Sequence, residues 1–325
     1  MVVQPSCILI KEQIMHRIVL GLLIGILVSL PVAGQAAMRV GVTVAPQVQF
    51  VERLAGPLVE VDPLVTPGKE PHNYEPTPRQ MQQLAESTLY FAIGMPWEER
   101  WLPKIAGATP TLEIVHLDEG LEKIALPEHG HDAEHGHGHE AEEAHGHDHA
   151  GDHAKEHAEH HHESGELDPH LWTSPRLVMQ MARTMAAALA RKDPANAATY
   201  QANLDAFLKE VQALDDELTQ LFAGKGGRFM VYHPAWGYFA RDYGLTQVPI
   251  ELDGKEPSAK ELKNIIDEAK HAKVQLVFVQ PQFSMKAAQI ITRDIGAEVV
   301  PADPLAQDWL ANMRAVAAAF KSALR

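Results

Sequence analysis

Short apolar runs separated by helical patterns recur along this sequence in two sets of four, and that rhythm constrains the fold more than any single motif. The first set covers residues 39–44, 59–65, 88–93 and 112–116; the second covers 228–232, 245–250, 274–279 and 298–300. Continuous apolar runs of this length read as strands buried on both faces. Between them lie helical patterns, at 47–54 and 77–85 for example. Ser258 with Glu261 forms a capping box that opens a helix running toward His271. Strands alternating with helices build parallel sheets covered on both sides. The expected fold is α/β, with two lobes of mostly parallel sheet flanked by helices.

One helix is expected to join the lobes. Asp193 and Pro194 form a natural N-cap and first-turn pair. Leu204, Phe207, Leu208, Val211, Leu214, Leu218 and Leu221 then keep a spacing of three and four, and Gly224, Lys225, Gly226 and Gly227 end the run. At 1.5 Å per residue, 194–223 makes about 45 Å of helix, enough to run along both lobes. A coiled coil would show the same stripe, but a single run between α/β halves favours an intramolecular spine.

Composition changes abruptly over 128–163, which holds 13 of the 19 histidines, 11 carboxylates and one lysine, Lys155. With almost nothing large and apolar, that segment cannot offset its ordering entropy and reads as a disordered acidic loop. It also carries most of the formal net charge of −15. A net charge of that sign argues against nucleic acid as a partner. At the N-terminus, Lys11 and Arg17 precede an apolar run at 18–30, and small residues follow Pro31. This is the pattern of a secretory signal peptide cleaved near Ala37 or Met38, with Met15 an alternative start. The only cysteine, Cys7, leaves with it. Disulfides and thiolate zinc sites are thereby excluded from the mature chain. The expected domains are a signal peptide 1–37, an N-terminal lobe 38–192 carrying the loop 128–163, a spine 193–224 and a C-terminal lobe 225–325. The location expected is the periplasm.

Six histidines lie outside the loop. His16 belongs to the signal peptide, His271 ends a polar helix, and His116 closes a strand as a surface residue. The other three share a context: His72 follows a strand, His170 precedes a helix opened by Ser174 and Pro175, and His233 directly follows an apolar strand. Ligands of open α/β sheets bind beyond the carboxyl ends of strands, so a cleft between the lobes brings these imidazoles together. Three imidazoles plus one oxygen suit tetrahedral Zn²⁺. Asp303, after the last strand, is the favoured oxygen, and water is the alternative.

The ordered motifs PHNYEPTP (71–78), DPHLWTSP (168–175), YHPAWGYFARDYGL (232–245) and VFVQPQF (277–283) leading to ADPL (302–305) resemble those of the zinc-binding periplasmic proteins of ABC importers, the ZnuA type of metal-binding solute-binding protein. An acidic His-rich loop before DPHLW is also characteristic of that group. The resemblance spans the mature chain and implies two related α/β lobes, one long joining helix and metal at their interface. It carries the three histidine ligands to His72, His170 and His233. Asp303 matches an aspartate that coordinates metal in some relatives and stands back in others. Manganese-specific relatives have glutamate at the third position, so His233 favours zinc. Some zinc members place a glutamate ligand just before the first histidine, where this chain has Pro71. Some also have a disulfide in the second half, which this chain cannot form.

The function implied is zinc capture outside the cytoplasm and delivery to a membrane permease powered by a cytoplasmic ATPase, by a monomer that is not an enzyme. One alternative is a secreted zinc hydrolase using a zinc-bound water. Against it, the nearest approach to HExxH, at 131–135, lacks the glutamate and lies in the low-complexity loop. Another is an extracellular zinc buffer or adhesin. The loop, with its interleaved imidazoles and carboxylates, is expected to hold zinc weakly at several points.

Overall fold

The computed structural model describes residues 37–66, 68–126, 167–251, 255–283 and 285–323. The expected signal peptide, apart from Ala37, and the expected loop 128–163 lie outside them. The first lobe runs β1 (Met38–Val42), α1 (Ala45–Ala55), β2 (Val59–Pro63), α2 (Pro78–Ala85), β3 (Leu89–Ala92), α3 (Pro96–Ala108) and β4 (Glu113–His116). Two helices follow, α4 (Pro175–Lys192) and α5 (Ala197–Phe222). The second lobe runs β5 (Gly227–Val231), α6 (Gly237–Tyr243), β6 (Leu245–Pro249), α7 (Ala259–His271), β7 (Leu276–Val279), α8 (Met285–Ile295), β8 (Glu298–Pro301) and α9 (Trp309–Ala323).

Each lobe holds a four-stranded sheet, ordered β2-β1-β3-β4 in the first and β6-β5-β7-β8 in the second. All strand pairs are parallel, with Val40 opposite Val61 and Leu89, and Val231 opposite Pro249 and Phe278. In both sheets the chain reverses its order beside the first strand, so a crevice opens at the strands' carboxyl ends. The second sheet shows why its sequence reads as continuous apolar runs. Phe229, Val231, Leu276 and Phe278 face one core, while Met230, Val277 and Val279 face another that includes Ile266 and Ile291. Alternate residues of one strand thus fill two cores.

The expected spine is α5. Tyr200, Leu204, Phe207, Val211, Leu214, Leu218 and Phe222 are buried along it, and Gly224 follows with a positive φ of 69°. Leu208 and Leu221, expected on the same stripe, are only half-buried. The α-helix proper begins at Ala197, because Pro194–Asn196 forms a single 3₁₀ turn. Asp193 still anchors this start, accepting hydrogen bonds from Asn196 Nδ2 (2.6 Å) and Tyr200 Oη (2.8 Å). The spine packs against α1 and α4 of the first lobe and α6 and α9 of the second, so its stripe is satisfied within the chain. Each such buried large side chain contributes about 1.5–3 kcal/mol relative to exposure.

A second junction ties the lobes together. The Trp172 indole donates to the Pro304 carbonyl (2.6 Å), and the Trp309 indole donates to the Trp172 carbonyl (2.7 Å). Trp309 also meets Phe50 of α1 edge-on, with ring centroids 5.2 Å apart. One apolar core therefore runs continuously through both lobes.

Candidate metal centre

His72 lies in the loop between β2 and α2, which is held at both ends. The Glu70 carboxylate accepts from the backbone N–H of His72 (2.8 Å) and Asn73 (3.0 Å), and the Trp97 indole donates to the Pro71 carbonyl (2.8 Å). Thr77 and Gln80 form the capping box of α2, and Gln80 also reaches the Leu64 carbonyl and the Tyr74 hydroxyl. His170 is fully buried just before α4. Asp168 Oδ1 accepts from both its backbone N–H (2.8 Å) and its ring Nδ1 (2.7 Å). Ser174 then caps α4 by accepting from the Leu177 N–H. His233 directly follows β5. Gln280, at the end of β7, accepts from its N–H (3.2 Å) and donates to its carbonyl (2.7 Å). Glu251 Oε1 lies 2.6 Å from its Nδ1, and the Phe283 ring stacks on it at 5.5 Å.

The three Nε2 atoms form a nearly equilateral triangle. His72 is 3.1 Å from both His170 and His233, and those two are 3.2 Å apart. The carboxylates at Nδ1 of His170 and His233 keep a proton there, which leaves Nε2 with its lone pair. Burial, reinforced by the neighbouring His170 and His233, pushes the pKa of His72 down to about 2, so its imidazole is neutral at physiological pH. Three lone pairs converging at such distances call for a cation between them. The corners of this triangle lie about 1.8 Å from its centre, so an ion with Zn–N bonds of about 2.0–2.1 Å stands about 1 Å off the nitrogen plane and keeps one apex open. An all-nitrogen donor set with a free apex fits zinc.

His72, His170 and His233 thus come together from three points of the chain. Asp303 does not join that group. Its Oδ1 accepts from Gln282 Nε2 and from the Leu305 N–H, both at 3.0 Å. His116 and His271 are exposed, away from the triad. Two residues at the site were not singled out from sequence, Glu251 and Gln280, and Asp168 was quoted within a motif without a role. The available signal was position: Glu251 and Gln280 each follow an apolar strand, as His233 does.

Two parallel-sheet lobes fastened by a long helix, with a cation-sized ring of imidazoles where they meet, define a metal-capturing solute-binding protein. The family profile described as "ZnuA: Zinc-uptake complex component A periplasmic" matches residues 40–323. The chain belongs to that family, whose members are zinc-uptake solute-binding proteins of ABC importers and not enzymes. It is 30% identical over 268 residues to the high-affinity zinc uptake system protein ZnuA of Bacillus subtilis (strain 168), covering 80% of this chain and 76% of that protein. It is 28% identical over 276 residues to the zinc-binding lipoprotein AdcA of Streptococcus pneumoniae serotype 4, covering 82% of this chain but 50% of AdcA, so it spans about half that relative's length. A crystal structure of ZnuA superimposes with a TM-score of 0.74 at 38% identity, covering 89% of this chain and 100% of the other. Among the described residues no helix is long and apolar enough to cross a membrane.

Proposed function

We propose that His72, His170 and His233 hold one Zn²⁺ through their Nε2 atoms, as the cargo this chain passes to its permease. The observation that carries this reading is the 3.1–3.2 Å triangle of ring nitrogens. A pocket of about 10 Å³ bordered by Glu70, His170, His233, Gln280 and Gln282 adjoins the triad, which suits a single water. That water takes the fourth position at rest. Asp303 is the carboxylate that replaces it on giving up Gln282 and the Leu305 N–H. The ring nitrogens have each other and two carboxylates as partners, so nothing at the site favours a hydrolase. Residues 18–30 act as the export signal, the mature chain begins near Ala37 or Met38, and it works as a monomer with no nucleic-acid partner. Residues 128–163 gather zinc by weak multiple contacts through their interleaved imidazoles and carboxylates.

Zinc titration against a competing chelator tests these assignments. His170→Ala and His233→Ala lower affinity by orders of magnitude while the fold persists, and Asp303→Ala costs less. A variant lacking 128–163 keeps the tight site and loses the weak ones, whose binding in the parent fades below pH 6 as protons compete for imidazole. Parental affinity in His233→Ala contradicts the ligand set. Unchanged stoichiometry in the deletion removes the loop from zinc binding.

A further inference from the structure

We propose that Glu251 and Asp168 are specificity determinants of this site: two buried carboxylates that make it select a divalent over a monovalent cation. The inference rests on the three-histidine reading above and goes beyond it to residues that never touch the ion. Glu251 is 4% exposed and Asp168 is fully buried. Each accepts a hydrogen bond from Nδ1 of an imidazole, Glu251 at 2.6 Å from His233 and Asp168 at 2.7 Å from His170. Among the described residues, the basic side chain that each carboxylate contacts is that imidazole. Asp168 Oδ2 has no hydrogen-bond partner among the described residues.

Two negative charges held in a water-poor interior demand compensation. Imidazoles that give their lone pairs to an ion supply none. A divalent cation at the triad brings the assembly of three rings and two carboxylates to neutrality, whereas a monovalent one leaves a buried negative charge. Imidazole nitrogens alone would not make this distinction, because they also bind soft monovalent d¹⁰ ions such as Ag⁺. The carboxylates do so through charge, and the attraction of each to the ion scales with the ion's charge. Loss of one carboxylate therefore weakens a divalent ion by the square of the factor by which it weakens a monovalent ion. His72, whose ring has no carboxylate on Nδ1 among the described residues, contributes donor strength without this selectivity.

The test compares Zn²⁺ and Ag⁺ affinities of the full mature chain in chloride-free buffer, for the parent, Glu251→Gln, Asp168→Asn and Glu251→Asp. Glutamine and asparagine keep a carbonyl oxygen for Nδ1 but remove the charge. Disturbed ligand support of this kind costs about 10–100-fold in zinc affinity, so silver affinity should fall only about 3–10-fold. The zinc-to-silver preference then shifts toward silver by about 3–10-fold. Glu251→Asp keeps the charge and therefore the parental preference, even where its shorter reach lowers both affinities. Residues 128–163 are common to all four proteins and cancel from the comparison. Equal losses for the two ions in Glu251→Gln, or the same shift in Glu251→Asp, overturn the proposal, as does unchanged zinc affinity. If Glu251→Gln fails to fold, Asp168→Asn and Glu251→Asp decide it. His233→Ala, run alongside, separates the failures: parental zinc affinity there refutes the ligand set itself, whereas its loss beside an intact Glu251→Gln refutes only the role of the carboxylates.

Discussion

The three histidines of the site are held with unequal firmness. His233 is fixed at its backbone by Gln280, at Nδ1 by Glu251 and on its ring face by Phe283. His170 takes both its backbone and ring bonds from a single Asp168 oxygen. His72 is held through its backbone and its burial. The position of Asp168 depends in turn on Gly237. A Cβ at residue 237 would lie 2.6 Å from Asp168 Oδ2 and 3.1 Å from Ile124 Cδ1. A buried carboxylate that already orients His170 cannot yield without turning that ring. Gly237→Ala is therefore expected to lower zinc affinity about tenfold or more, with far-ultraviolet circular dichroism unchanged. Parental affinity in a chelator competition would show that the His170 ring tolerates displacement of its support.

At the scale of elements, the spine's first turn carries a pH-dependent contribution. Hydrogen bonds from Asn196 and Tyr200 hold the Asp193 carboxyl below its usual value of 3.8. A carboxylate with a depressed folded pKa stabilises the native state above its unfolded pKa, and that contribution is lost as pH falls through the folded value. Asp193→Asn should cost about 1 kcal/mol at pH 7, modest because the site is partly exposed. The deficit should shrink as pH drops below about 4. Urea unfolding at pH 7 and pH 3 measures it, and a deficit that grows toward low pH contradicts the assignment. Elements with strong local signals were legible in the sequence: the strands, the capping box at Ser258, and the spine all form where composition points. The expected helix start at Pro194 gave way to a 3₁₀ turn over Pro194–Asn196, closed by the Asn196 N–H donating to the Asp193 carbonyl. Helix α3 was not legible, because Pro103 and Gly107 interrupt its helical pattern. In α9 the run of alanines around residue 318 blurs the apolar stripe. The three histidines were legible through their place after strands or before a helix. Glu251 and Gln280 were not, because 18 and 47 residues separate them from His233 and only the packing of neighbouring strands brings them to it.

The whole molecule is built to resist wide opening. Besides the spine, its lobes share one core, the Trp172–Pro304 and Trp309–Trp172 bonds, and a hydrogen bond from Tyr238 of α6 to the Asp168 carbonyl (2.7 Å). The Ser174 hydroxyl also donates to Asp242 at the end of α6, so the segment carrying His170 is fastened to the helix that follows His233. Zinc entry and release should then proceed by local movement at the site and not by hinge closure of whole lobes. Small-angle scattering of the zinc-free and zinc-loaded protein is expected to give superimposable profiles, and a clear compaction on loading contradicts this. One zinc ion is expected to join three imidazoles from distant parts of the chain. The decisive experiment is a crystal structure of the zinc-loaded mature protein, with anomalous data collected at the zinc edge. The predicted result is a single strong peak about 2.0–2.1 Å from Nε2 of His72, His170 and His233 together. A strongest peak away from those three nitrogens, or one bonded to fewer than three of them, would contradict it.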